Sequence, residues 1–91
     1  MNGVGEGTRE AFKQHVEVFG EDFHAGGETR RGVYSDHKGI KKISFLPGEF
    51  PLRAGDVIKR WATEENFRVL SVKSEAVAGV IINFHAVVTP A

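Results

Sequence analysis

Apolar residues recur at helical spacing near the start of the chain. Three of them fall at positions i, i+4 and i+7, which places them on one face of a helix: Phe12, Val16 and Phe19. Thr8 is a residue type that caps helices, and Gly20 is a residue type that ends them. The spacing therefore predicts a helix over residues 8–19. The preceding residues hold three glycines and few apolar anchors, so we expect a flexible tail over residues 1–7.

After the helix the pattern changes to short runs in which apolar and polar residues alternate. The runs begin near Phe23 and continue over residues 29–35, 40–46, 57–60, 67–73 and 80–88. They are separated by turn-forming sequences at residues 25–28, 36–39, 53–56 and 64–66. Alternation with period two is typical of strands that have one buried face.

The predicted fold class is mainly β. One helix followed by five to six short strands at close spacing is typical of a small antiparallel β barrel or sandwich with an N-terminal helix. We expect residues 8–91 to form a single domain of this kind, with the helix covering an open end or edge of the sheet. The strongest candidates for its core lie on the last two strands: Phe67, Val69, Val80, Ile82 and Phe84.

Charge and composition argue against several classes of function. The 91 residues include twelve Lys plus Arg and twelve Asp plus Glu, so the formal net charge is zero. A general nucleic-acid binder usually carries a basic excess, which argues against that class. There is no cysteine, which excludes disulfides, thiolate zinc sites and thiol nucleophiles. The longest apolar stretch, residues 77–82, is too short to span a bilayer, and we expect no membrane partner.

No constellation typical of catalysis or metal binding is present. The four histidines have no zinc-ligand spacing, and no Glu follows a His in the manner of metalloproteases: His15, His24, His37 and His85. Ser35, Asp36 and His37 supply the residue types of a serine triad. Consecutive residues point in different directions, however, and cannot form the relay. We therefore expect no catalytic residue, no cofactor, no metal and no small-molecule substrate.

Two loops are candidate protein interfaces. Lys38, Lys41 and Lys42 cluster around the second turn, where they can pair with acids on a neighbouring subunit. Their alternative role is to keep the surface soluble. Phe50 lies between two prolines in the segment LPGEFPL, and exposed aromatics in loops are common interface anchors. Its alternative role is to close the core of its own domain.

The order of several motifs resembles the head–tail joining (head–tail attachment) proteins of lambda-like tailed phages. The early motifs are FGEDF at residues 19–23, a Gly-Gly turn, and RGVYSD at residues 31–36. The later motifs are LRAGDVI at residues 52–58 and EENFRVLSV at residues 64–72. The resemblance covers roughly residues 10–88, and it depends on the order and spacing of motifs that are individually generic.

The resemblance implies a small β barrel or sandwich that acts as a structural part of the virion neck. Copies of such a protein form a ring with other neck and tail proteins and join the DNA-filled head to the tail, without enzymatic activity. It implies a protein made in the bacterial host cytoplasm and located in the virion. The segment over residues 36–52 departs from the pattern because it is shorter than the family's long loop. The alternative function is a small β-barrel module that binds nucleic acid or protein in a cellular complex.

Overall fold

A computed structural model describes residues 3–48 and 52–91. One helix precedes six strands: α1 (Gly3–Phe19), β1 (Glu21–Ala25), β2 (Glu28–His37), β3 (Ile40–Phe45), β4 (Val57–Arg60), β5 (Asn66–Val77) and β6 (Val80–Pro90). The strands form a closed barrel in the order β1-β2-β3-β6-β5-β4, and every neighbouring pair is antiparallel. This confirms the predicted fold class and specifies a barrel rather than a sandwich.

Three tight hairpin turns connect consecutive strands of the barrel. The turn from β1 to β2 uses Gly26 and Gly27, with φ angles of 58° and 80°. Lys38-Gly39 and Ala78-Gly79 occupy the equivalent positions of the other two turns, and all four residues also have positive φ. Two consecutive positive φ angles match the right-handed twist of a hairpin, and glycine adopts them without steric cost.

The interior of the barrel is filled by aromatic and branched side chains. The fully buried ones include Phe23, Phe45, Phe67, Ile43, Ile58 and Val69. The prediction that Phe67, Val69 and Ile82 are buried is confirmed. Phe84 is only half-buried, and its ring packs against the Phe45 ring with centroids 5.6 Å apart. Val80 is also half-buried, because it lies near the β5–β6 turn beyond the main core.

The helix is longer than the sequence predicted. It ends at Phe19 as expected, and the Gly20 N–H donates to the Val16 carbonyl at 2.8 Å. It begins at Gly3 rather than Thr8, so most of the segment 1–7 predicted as a tail is helical. Thr8 is not a cap, because it lies inside the helix and its hydroxyl donates to the Val4 carbonyl at 2.8 Å.

Contacts at both ends attach the helix to strands β2, β5 and β6. Near its start, the Gly5 backbone lies against Val77 and Val80, where any Cβ would collide. The Arg9 side chain then donates from Nε to the Ile81 carbonyl at 2.9 Å. At the other end, Arg31 of β2 donates to the carbonyls of Val16 at 3.1 Å and Glu17 at 3.3 Å. Arg31 thus satisfies carbonyl groups that a helix C-terminus leaves free.

The prediction that Phe19 belongs to the buried face of the helix is wrong. Val16 is almost fully buried and Phe12 is half-buried, but the Phe19 side chain is 68% exposed. Phe19 is the last residue of the helix, and the chain turns at Gly20 directly into β1. Its ring packs instead against the exposed His15, with centroids 5.0 Å apart.

Candidate interaction surfaces

The lysines predicted as an interface lie on the β2–β3 hairpin. Lys38 occupies a turn position with φ of 53° and is exposed, as is Lys42. Lys41 is already engaged within its own chain, because its ammonium lies 2.9 Å from Oδ2 of Asp36. This hydrogen bond raises the pKa of Lys41. Among the described residues, Lys41 is paired with Asp36, whereas Lys38 and Lys42 form no ion pair.

Phe50, the interface residue predicted on the second loop, lies outside the described residues. The segment that leads to it, Leu46-Pro47-Gly48, follows β3 and faces helix α1 across a surface depression of about 580 Å³. Arg9, Glu10 and Lys13 form the helical side of that depression. Both roles considered for Phe50, as an anchor for a partner and as a lid over its own core, stay predictions.

The histidines are dispersed over the molecule. His24 lies with Nδ1 3.3 Å from the hydroxyl of Thr29, and His15 packs against an aromatic ring. His85 on β6 lies with Nδ1 3.4 Å from Oε1 of Glu75 on β5. Within residues 3–48 and 52–91, no group of three or more His, Cys, Asp or Glu side chains is placed to hold a metal ion.

A half-buried ion pair between β1 and β4 was not predicted. Arg60 donates from Nε and Nη2 to the two carboxylate oxygens of Glu21, at 2.5 and 2.9 Å. Its guanidinium also lies 4.5 Å from the centre of the Tyr34 ring. The hydrogen bond to Glu21 raises the pKa of Arg60. The two residues are 39 positions apart, and no local pattern signals their contact. This bidentate ion pair joins β1 to β4, the two strands whose pairing closes the barrel.

Two polar residues on β6 are also buried against expectation. Alternation along β6 puts Asn83 and His85 on the face opposite Phe84, Ala86 and Val88, yet the two residues are only 7% and 9% exposed. Helix α1 contacts β6, and its Arg9 side chain donates to the Ile81 carbonyl, so the helix lies over this part of the strand. Among the described residues, Oδ1 of Asn83 has no hydrogen-bond donor.

Helix α1 carries a second apolar face that points to solvent. We call it the helix stripe; it consists of Val4, Ala11, His15, Val18 and Phe19, all exposed. Ala11, His15 and Val18 follow Val4 at successive spacings of seven, four and three residues, and Phe19 lies four residues after His15. These spacings keep the five side chains on one side of the helix. Val4 and Val18 are 71% and 69% exposed.

A second exposed apolar surface lies on the outer face of strands β4 and β5. We call it the strand patch; it consists of Val57, Lys59, Trp61, Arg68 and Leu70. Val57 and Arg68 are register partners, and the Lys59 ammonium lies 5.6 Å from the centre of the Trp61 ring. Leu70 sits at a register shift between Val69 and Ser71. Trp61 is 60% exposed and Leu70 53% exposed, which is unusual for such large apolar side chains.

No described helix is both long and apolar enough to cross a membrane. The chain matches no protein-family model, no curated protein and no solved structure.

Proposed function

We propose that this chain is a non-catalytic structural protein of a phage or prophage neck, where a ring of copies joins the DNA-filled head to the tail. The observation that carries the proposal is the set of large apolar side chains on the outside of a barrel whose interior is already filled. The ordered motifs that resemble head–tail joining proteins supply the specific assembly.

The exposed apolar side chains favour a role in protein association. The described residues leave eight large hydrophobic side chains exposed: Val4, Val18, Phe19, Ile40, Val57, Trp61, Leu70 and Ile81. Single exposed apolar residues are common, but grouped ones mark surfaces that bind other proteins. Aromatic residues such as Phe19 and Trp61 are also the types that anchor protein interfaces.

Ring assembly suits a protein of this size. A 91-residue barrel offers only small contact surfaces to each neighbour. In a closed ring, each copy makes contacts on two sides, and the closure of the ring makes many weak contacts act together. Such a protein need not bind its neighbours tightly in isolation to form a stable joint.

The non-catalytic part of the proposal is supported by the way charged groups are engaged. Arg60 is held by Glu21 on both carboxylate oxygens, and Lys41 is held by Asp36. A catalytic acid or base must instead be free to exchange a proton with a substrate. These pairs stabilise the fold and leave the exposed surfaces for binding.

The test is a joining assay with phage particles. Filled heads and free tails from a phage that lacks this gene are mixed with the purified protein, and infectious particles are counted. The proposal predicts that the protein restores joining and that a buffer control does not. Heads and tails that join equally well without the protein would contradict it. Steeply salt-dependent binding to single-stranded DNA, with no effect on joining, would favour a nucleic-acid-binding module instead.

A further inference from the structure

We propose that the outer face of strands β3, β6 and β5 binds an acidic, leucine-containing peptide segment of another protein. We call this surface the basic face; it presents three cations around three aliphatic side chains. The cations are Lys42, Arg68 and Lys73, and the aliphatic side chains are Ile40, Val87 and Leu70. The face shares Arg68 and Leu70 with the strand patch. Binding to this face does not depend on the neck assignment, because it concerns only the chemistry of the partner and is tested on the isolated chain.

Strand alternation places these six side chains on the outside of the barrel. Core residues such as Ile43 and Val69 alternate with them along the same strands, so their chain neighbours point outward. Ile40 and Leu70 are 54% and 53% exposed. Val87, on the strand between theirs, is half-buried. The aliphatic side chains therefore form the centre of the face.

The three cations have no carboxylate partner within the described residues. None of them takes part in an ion pair there. Their register partners are uncharged residues or histidine: Ser35 and Val87 beside Lys42, Val57 and Thr89 beside Arg68, and His85 beside Lys73. Glu75, on the same strand as Lys73, lies 3.4 Å from Nδ1 of His85. Cations in this position attract a partner that supplies the missing carboxylates.

The spacing of the cations suits two acids of one extended peptide. Lys42 is in register with Val87, and Arg68 and Lys73 lie on β5 at levels two residues to either side of Val87. With strands about 4.8 Å apart and about 3.3 Å per residue, the Cα atom of Lys42 lies about 12 Å from each of the other two. Acids about three or four residues apart in an extended peptide can therefore reach two cations, while the residues between them cover Val87.

A depression of about 300 Å³ lies at the Ile40 end of the basic face. Ser35, His37, Ile40 and Lys42 line it. An apolar side chain of the partner can lie there against Ile40, and a neighbouring carboxylate can accept hydrogen bonds from the Lys42 ammonium and the Ser35 hydroxyl. This end of the face therefore fits an acid placed next to a leucine-like residue.

The chemistry of the face favours such a peptide over DNA and over a second copy. Barrels that bind single-stranded nucleic acid stack the bases on aromatic side chains, whereas the centre of this face is aliphatic. A second copy would have to offer acids beside exposed apolar side chains. On helix α1, Glu6, Glu10 and Glu17 lie on the side away from the helix stripe, so these acids do not border its apolar residues.

The probe is the synthetic peptide EEELLEEE, in which the leucine pair separates glutamates that are about 10 Å apart in an extended chain. It is titrated into the full, isotope-labelled chain and followed by NMR. We expect a Kd between about 0.1 and 1 mM, with amide shifts concentrated at residues 40–42, 68–73 and 87. The control peptide KKKLLKKK should not bind. The control peptide EEEGGEEE should bind at least about tenfold more weakly, because it lacks the apolar contact.

Charge reversal on the basic face tests the site. Lys42→Glu and Arg68→Glu should each weaken binding of EEELLEEE by at least about tenfold, because an acid replaces a cation. Lys13→Glu is the matched control, since it makes the same change at an exposed lysine of α1 that has no described ion pair, and it should bind like the wild type. Leu70→Ser keeps every charge and should also weaken binding. Circular dichroism melts verify that each variant is folded.

Several results would overturn the proposal. One is a wild type whose spectrum does not change at about 5 mM peptide, and another is a Lys13→Glu variant that loses as much affinity as Lys42→Glu. An oligothymidine strand that binds this face more tightly than the peptide would assign the face to nucleic acid. Shifts at the face that grow with protein concentration alone would assign it to a second copy. A chain that binds the peptide but does not join heads to tails refutes only the neck function.

Discussion

Gly32 lies on the long strand β2, at the position where pairing with β1 ends and pairing with β3 begins. It is buried and pairs with Glu21 of β1 on one side and Phe45 of β3 on the other. A Cβ at this position would lie 2.9 Å from both Cδ1 and Cε1 of Phe45 and 3.0 Å from the Ser44 carbonyl oxygen. Carbon atoms in good contact are about 3.5–4.0 Å apart, so the ring would have to move by about 0.6–1 Å.

The Phe45 ring has little room to move. It is 2% exposed, and the rings of Phe23 and Phe84 lie against it at centroid distances of 5.9 and 5.6 Å. Forcing extra volume into such packing costs about 1–3 kcal/mol. Alanine also lowers the conformational entropy of the unfolded chain, which stabilises the folded protein by about 0.4–1 kcal/mol. We therefore expect Gly32→Ala to lower the free energy of unfolding by about 1–2 kcal/mol.

Urea unfolding measures this change directly. With a denaturant slope of about 1 kcal/mol/M for a small protein, the midpoint should fall by about 1–2 M at an unchanged slope. Gly7→Ala is the matched control, because a Cβ at that helical position meets nothing within 4 Å. Gly7→Ala should raise the free energy of unfolding by about 0.5–1 kcal/mol, because alanine is favoured over glycine inside a helix. A midpoint for Gly32→Ala at or above that of the parent would refute the packing argument.

Other predictions test the core, a turn and the metal chemistry. Phe67→Ala removes a side chain that is 1% exposed and should cost about 3–5 kcal/mol in the same urea assay; a loss below about 1 kcal/mol would show that Phe67 is not in the core. Ala78 has a φ of 50°, and Ala78→Asn should stabilise the protein by about 0.5–1 kcal/mol, because asparagine tolerates this conformation better; a lower melting temperature would contradict the turn geometry. Stoichiometric zinc or a chelator should leave the melting temperature unchanged in differential scanning fluorimetry, whereas a rise of several degrees with zinc would reveal a ligand set among the histidines.

The strands and turns could be predicted because their signals are local. Alternation over residues 67–73 and 80–88 and the Gly26-Gly27 pair each specify a conformation within a few residues. The closure of the barrel depends instead on the pairing of β1 with β4, which brings Phe23 next to Arg60. Nothing in the local pattern indicates which two strands meet there.

Two predictions about the helix, its start and the burial of Phe19, were wrong because tertiary structure decides both. Glycines disfavour helices, so the propensity of residues 3–7 pointed to a tail. In the fold, the absence of a side chain at Gly5 lets the helix backbone approach Val77 and Val80 closely, and that packing outweighs the propensity. Phe19 continued the apolar spacing, but the chain turns away at Gly20 before the ring can reach the core. The spacing therefore predicted a buried Phe19 ring, whereas the fold leaves that ring exposed.

Cryo-electron microscopy of assembled particles tests the central claim most directly. Particles are joined in vitro with the purified protein, and the density between head and tail is averaged at the neck. The account predicts a ring of barrels the size of this domain between the head and the tail. A neck in which no density fits this barrel would contradict the assignment of this chain to the head–tail joint.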